Sequence, residues 1–140
     1  MDYKLTRGSS KGDYLKFIIK HLLTFPLIYL PLIPIIILDI STEIYHQIGF
    51  RLCGIPLVKR SKHIKIDRHR LKYLSWFDKL NCTYCGYANG LLRYVSEIGA
   101  ETERYWCKIK HKKNKNFAEP SHHKEFLKFG DKSSYVKKYK

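Results

Sequence analysis

Acidic side chains are scarce: the 140 residues hold 12 Asp and Glu against 27 Lys and Arg, a formal net charge of +15. That imbalance favours anionic partners, such as a lipid surface or a nucleic acid, and says nothing about fold. Gly/Ser linkers and internal repeats are missing, which argues against a string of modules. No nucleophile–base–orienter set, phosphate-binding loop or paired-carboxylate motif is present, so no reaction can be read from a motif. The length excludes a dinucleotide fold joined to a separate substrate domain. A mean hydropathy of −0.37 excludes a polytopic membrane protein. At 44% hydrophobic residues, however, the chain is too apolar for a disordered basic tail.

What is present is blocked along the chain. Residues 21–50 contain no Lys or Arg, residues 51–72 carry eight against a single acid, Asp67, and residues 108–140 carry eleven Lys against three acids. Five segments follow: a basic N-terminal segment 1–20, a membrane-embedded or interfacial helical region 21–50, a basic linker 51–66, a helical Cys/His module 67–111 and a Lys-rich tail 112–140. The expected fold class is mainly α, a proline-kinked membrane helix followed by a small, basic, helical cytoplasmic module.

Leu22 to Leu38 reads LLTFPLIYLPLIPIIIL, without a charge. As a helix it spans about 25 Å against a hydrocarbon core of about 30 Å, and His21, Asp39 and Ile40 extend it toward a full crossing. A cleaved signal peptide fits poorly, because the preceding twenty residues are polar and no A-x-A-like site follows. A soluble core helix apolar on every side would demand more cover than so small a domain has. Pro26, Pro31 and Pro34 each remove an amide donor, so the helix is expected to kink or break. Either the segment crosses once or it dips in and returns; the bias of basic residues places the C-terminal hundred residues in the cytoplasm in both cases. Beyond it, Glu43-x-x-His46 has the spacing of di-iron helical bundles, but those need a second such motif and two further Glu, so an interfacial polar face is the expected reading.

Cys53-Gly-Ile-Pro56 reads as a turn that stops the first helical region. Val58–Ile66 reads as an extended linker, and Asp67 as the N-cap of a helix over Arg68–Leu80 with Leu71, Leu74, Phe77 and Leu80 on one stripe. A further helix is expected from Leu91, burying Leu91, Val95, Ile98, Tyr105 and Ile109 and exposing Glu97, Glu101 and Arg104, with Glu101 paired to Arg104. Cys82-x2-Cys85 and Cys107-x3-His111 together resemble the ligand spacing of a Cys3His zinc site, in a compartment that keeps thiols reduced. One ion can reach both pairs only if the chain reverses between them, and Gly99 is the candidate. Three other readings stay open: Cys82 and Cys85 with His63 or His69, a redox pair stabilised at a helix N-terminus, or small buried hydrophobes. Cys53 reads as structural.

In the tail, Phe126, Leu127 and Phe129 are expected to pack on the central module, Gly130-Asp131 to turn, and the last ten residues to be solvated. His122-His123 reads as an exposed pair rather than a ligand pair. The lysines read as contacts to anionic headgroups ahead of nucleic acid, since no nucleic-acid-binding signature is present.

The stretches Asp67-Arg68-His69-Arg70-Leu71-x-Tyr73-Leu74, Asn81-Cys82-x-Tyr84-Cys85-Gly86-Tyr87-x-Asn89-Gly90 and Thr102-Glu103-x-Tyr105-Trp106-Cys107-x-Ile109-Lys110-His111 resemble a family of small uncharacterised bacterial membrane proteins. The likeness runs from about Leu38 to Asp131, with Lys108 and Gly99 standing where the family has proline and alanine. It implies a bacterial, membrane-associated setting and no catalytic residue, and the expected location is the bacterial inner membrane. The expected function is a membrane-anchored binding or accessory module for lipid headgroups or a protein partner. A CxxC redox factor and a tethered nucleic-acid-binding module are the alternatives.

Overall fold

The computed structural model describes residues 11–140, so residues 1–10 of the basic N-terminal segment, Lys4 and Arg7 among them, lie outside it. Among the described residues four α-helices are found: α1 (Lys11–Tyr29), α2 (Leu32–Cys53), α3 (Trp76–Trp106) and α4 (Lys132–Tyr139). Short 3-10 turns occupy Arg60–Lys62, Arg68–Arg70 and Ser121–Glu125. The described residues form no strand, and a single parallel bridge joins Ile109 to Leu127. The described residues are mainly helical, as expected from the segment-by-segment reading of the sequence. Two compact units divide the chain, the first ending at Ile40 and the second running over Ser41–Lys140.

In the first unit the expected break falls at Leu30–Pro31, between α1 and α2. The Leu30 amide still bonds back to Pro26 O (3.0 Å), but Pro31 has no amide to continue the ladder. Pro34 lies in the first turn of α2, where a missing donor costs nothing. Leu22–Cys53 is long and apolar enough to cross a membrane, and its most apolar window is not buried anywhere. Large apolar side chains, Leu22, Leu27, Ile33, Ile37 and Ile40 among them, are exposed along it.

α2 ends in a Schellman motif. Gly54 takes the left-handed conformation (φ 67°), its amide bonds Arg51 O, and the Ile55 amide reaches Phe50 O at 2.8 Å. Phe50 and Ile55, the residues that accompany this bond, are both buried. The stop expected at Cys53–Pro56 is therefore present.

The start of the next helix differs from expectation. Asp67 makes no cap hydrogen bond; it pairs with Lys65 at 3.3 Å, and only a 3-10 turn follows. α3 begins instead at Ser75, whose hydroxyl accepts from the Asp78 amide (3.2 Å) while Asp78 Oδ2 accepts from the Ser75 amide (3.3 Å). Two reciprocal bonds satisfy donors that a lone Asp67 would leave open. From there α3 runs unbroken through the CxxC motif and Gly99 for 31 residues, so the chain does not reverse. Its buried face is Ala88, Leu91, Tyr94 and Ile98; Val95 is half-buried and Tyr105 exposed.

Gly86 and Gly90 let a second strip of backbone lie against α3. A Cβ on Gly90 would stand 2.8 Å from His63 O and from Ile64 Cα, and one on Gly86 would stand 3.2 Å from Lys65 O. The basic linker thus passes over a glycine face of α3, and this contact offsets the roughly 1 kcal/mol per glycine that helix propensity disfavours.

Beneath it sits a buried polar network. The Tyr94 hydroxyl donates to Glu43 Oε2 (2.9 Å) and meets His46 Nδ1 (3.0 Å), while His46 Nε2 accepts from the Val58 amide (2.9 Å). His46 and Tyr94 are fully buried, and Arg60 lies over the Tyr94 ring at 5.4 Å. Within Glu43-x-x-His46, expected to be an interfacial polar face, His46 is instead buried and both side chains bond Tyr94, joining α2 to α3, while Glu43 stays half-exposed. Both ring nitrogens of His46 are used by protein groups, which leaves none for a metal.

A candidate metal centre at the end of α3

Glu103 lies in the last turn of α3, where Cys107 is the C-cap and its amide bonds Glu103 O (2.8 Å). Beyond the cap the chain runs out and returns. The Leu127 amide donates to Lys108 O and the Lys110 amide to Leu127 O, each at 2.8 Å, so the returning segment lies parallel to residues 108–110. Lys110 Nζ also holds Glu119 Oε1 at 2.8 Å. Pro120, extended, then caps the 3-10 turn Ser121–Glu125, whose tight pitch places His122 and His123 side by side over Glu103.

The three side chains converge. His122 Nε2 lies 2.7 Å from Glu103 Oε2, and His123 Nε2 lies 3.1 Å from both carboxylate oxygens. Burial pushes the Glu103 carboxyl up, but hydrogen bonds from His122 and then His123 outweigh it and hold the group below the ordinary carboxylate value. Phe126, itself buried, stacks on His123 with ring centres 4.8 Å apart. His123 is wholly buried and its Nδ1 has no partner, an arrangement that costs about 1–3 kcal/mol.

Glu103, His122 and His123 form a group that could hold a metal ion, with one donor atom from each within 4.8 Å of the others. Two imidazoles and a carboxylate are the donor set of many three-ligand zinc sites. Around a tetrahedral ion with bonds of about 2.0–2.1 Å the donors stand about 3.3 Å apart, so the two imidazole–carboxylate separations of 2.7 and 3.1 Å would open by about 0.2–0.6 Å.

The four ligands expected from spacing are not brought together. Cys82 and Cys85 sit two to three turns into α3 and Cys107 at its far end, so Cys85 and Cys107 are about 33 Å apart along the axis. Cys82 and Cys85 are also well inside the helix, away from the N-terminus that would stabilise a thiolate. His111 lies outside α3, with its ring 5.4 Å from Phe117 and 5.5 Å from His123. It borders the Glu103 cluster without belonging to the group of three. His122-His123, expected to be exposed, is the half-buried and buried heart of the site. The signal for it was weak: a Pro-initiated turn and Phe126 close in sequence, with Glu103 some twenty residues away.

Glu103 and His122 also line a groove of about 610 Å³ between α2 and α3. Its walls include Tyr45, Val95, Ile98, Gly99 and Trp106, and it is predominantly apolar. The Tyr45 hydroxyl meets Thr102 Oγ1 at 3.0 Å, linking the two helices. Comparison of the chain with protein-family models, curated proteins and solved structures found no match.

Proposed function

We propose that this protein is a bacterial inner-membrane accessory module, anchored by the apolar run Leu22–Leu38, whose basic remainder lies on the cytoplasmic side against anionic headgroups or a protein partner. The observation that carries this reading is the candidate span Leu22–Cys53, whose most hydrophobic window is entirely uncovered by protein. Water is a poor solvent for such a surface, at roughly 25 cal/mol per Å² of exposed apolar area. Net charge supports the rest: residues 51–72 and 108–140 are dominated by Lys and Arg, each worth about 1 kcal/mol beside an anionic leaflet. The resemblance to small bacterial membrane proteins in the cysteine–tyrosine motif agrees with this setting.

Zinc is part of the proposal, at Glu103, His122 and His123 rather than at the cysteines. There it exchanges hydrogen-bonded protons for a dication and pins the returning basic tail to the end of α3.

Flotation of the full chain with liposomes tests the anchor. The protein should float with neutral vesicles even in 1 M salt, roughly three Å of Debye screening leaving the anchor unaffected. Protease protection should leave residues beyond Cys53 on one face only. A chain that stays monodisperse in plain buffer and sediments apart from lipid overturns the reading.

A further inference from the structure

The zinc reading leaves a coordination question, and the inference that follows rests on it. Three donors fill three positions of a tetrahedral ion, and a site with three protein ligands keeps a fourth position for an exogenous one. The direction of that opening can be read from burial. His123 is wholly buried behind the cluster, whereas Glu103 and His122 both line the α2–α3 groove. An ion held by the three therefore faces the groove.

The groove has the character of a site for a chain with an anionic head. Val95, Ile98 and Trp106 give it apolar walls, and Thr42 and Tyr45 lie on α2 a few residues beyond the apolar run Leu22–Leu38 read as the membrane anchor. Gly99 also lines it. Unlike Gly90, which the linker backbone crowds, Gly99 has nothing within 4 Å of where its Cβ would stand. No packing or backbone requirement accounts for a glycine there, although mid-helix glycine is unfavourable by about 1 kcal/mol. Its effect is to leave the groove floor open.

We propose that the metal held by Glu103, His122 and His123 takes, at its fourth position, the phosphate oxygen of an anionic membrane lipid whose acyl chain lies in the groove over Gly99. The step is a ligand exchange: a metal-bound water leaves and a phosphate oxygen replaces it, with no change of oxidation state. The dication supplies attraction for the headgroup, and the apolar walls select a molecule that carries a chain.

The test uses the full chain in nanodiscs with cobalt as the probe metal, because its visible spectrum reports a change of ligand. In neutral-lipid nanodiscs cobalt should bind with a tetrahedral band. Adding phosphatidic acid to the nanodisc should shift that band, and inorganic phosphate in neutral nanodiscs should do so at least tenfold more weakly. Gly99→Leu, which fills open space and improves helix propensity, should keep cobalt binding and the phosphate response while abolishing the advantage of phosphatidic acid. A cobalt band that neither anion moves shows a closed site, and equal responses to the two, or an unaltered Gly99→Leu response, show that the groove takes no chain; each overturns the inference while the metal reading stands. Failure to bind cobalt at all removes both.

Discussion

Single atoms decide much of this structure. Gly90 is required by the linker backbone rather than by any turn, since its Cβ would meet His63 O and Ile64 Cα at 2.8 Å. Gly90→Ala is expected to destabilise the protein by about 1–3 kcal/mol, because backbone cannot move aside as a flexible side chain would. Thermal unfolding of the two variants should show Gly99→Ala shifting the other way, by up to about 1 kcal/mol. Tyr94 acts through its hydroxyl. The Val58 amide donates to His46 Nε2, so the His46 proton lies on Nδ1 and points at Tyr94. Tyr94→Phe strands that proton in a fully buried site, and a loss of about 1–3 kcal/mol is expected on chemical denaturation. An unchanged midpoint would mean that the network contributes no net stability. The pairing of Glu43 with His46 in sequence suggested helix-surface chemistry; only the arrival of Tyr94, some fifty residues later, makes it a core.

At the scale of elements, the boundaries follow local hydrogen-bond chemistry wherever two bonds act together. The Gly54 Schellman motif stops α2 and the Ser75–Asp78 box starts α3. The second was legible as S-x-x-D, yet Asp67 competes for the same role and only its ion pair with Lys65 shows that it is engaged elsewhere. The last helix, α4, depends on Asp131. The Ser134 amide (3.0 Å) above all, then the Ser134 and Ser133 hydroxyls, hold its carboxyl below the ordinary value. A depressed carboxylate contributes stability above its unfolded pKa and loses it as pH falls through the lower folded value. α4 should therefore fray progressively below about pH 4, the ordinary carboxylate range, while remaining intact at neutrality. Amide exchange across Lys132–Tyr139 reads this directly, and Asp131→Asn should flatten the pH dependence.

For the molecule as a whole, the metal reading separates two ends of α3. Replacing both Cys82 and Cys85 by Ser should leave the zinc content of the purified protein unchanged. His122→Ala should lower it at least tenfold, with circular dichroism confirming that the helices persist. The opposite pattern, zinc lost with the cysteines and retained without His122, would return the ion to the CxxC motif and remove the Glu103 site. The contrast is strong because about 33 Å of continuous helix lies between Cys85 and Cys107.

Sequence by itself determined the class, the apolar segment and its break, because these depend on hydropathy, on proline's missing amide and on local caps, all readable over a few residues. It also determined the Glu101–Arg104 pair, which lies within one helical turn. Tertiary structure alone decided that α3 passes straight through its glycines, that His46 is interior and Glu43 bonds Tyr94, and that Glu103 meets His122 and His123. Each depends on a contact between segments distant in the chain: linker on α3, Tyr94 on α2, and the returning tail on the end of α3. Residue spacing encodes which side chains share a face of one element. It carries no measure of the backbone approach that lets two elements close around a common site.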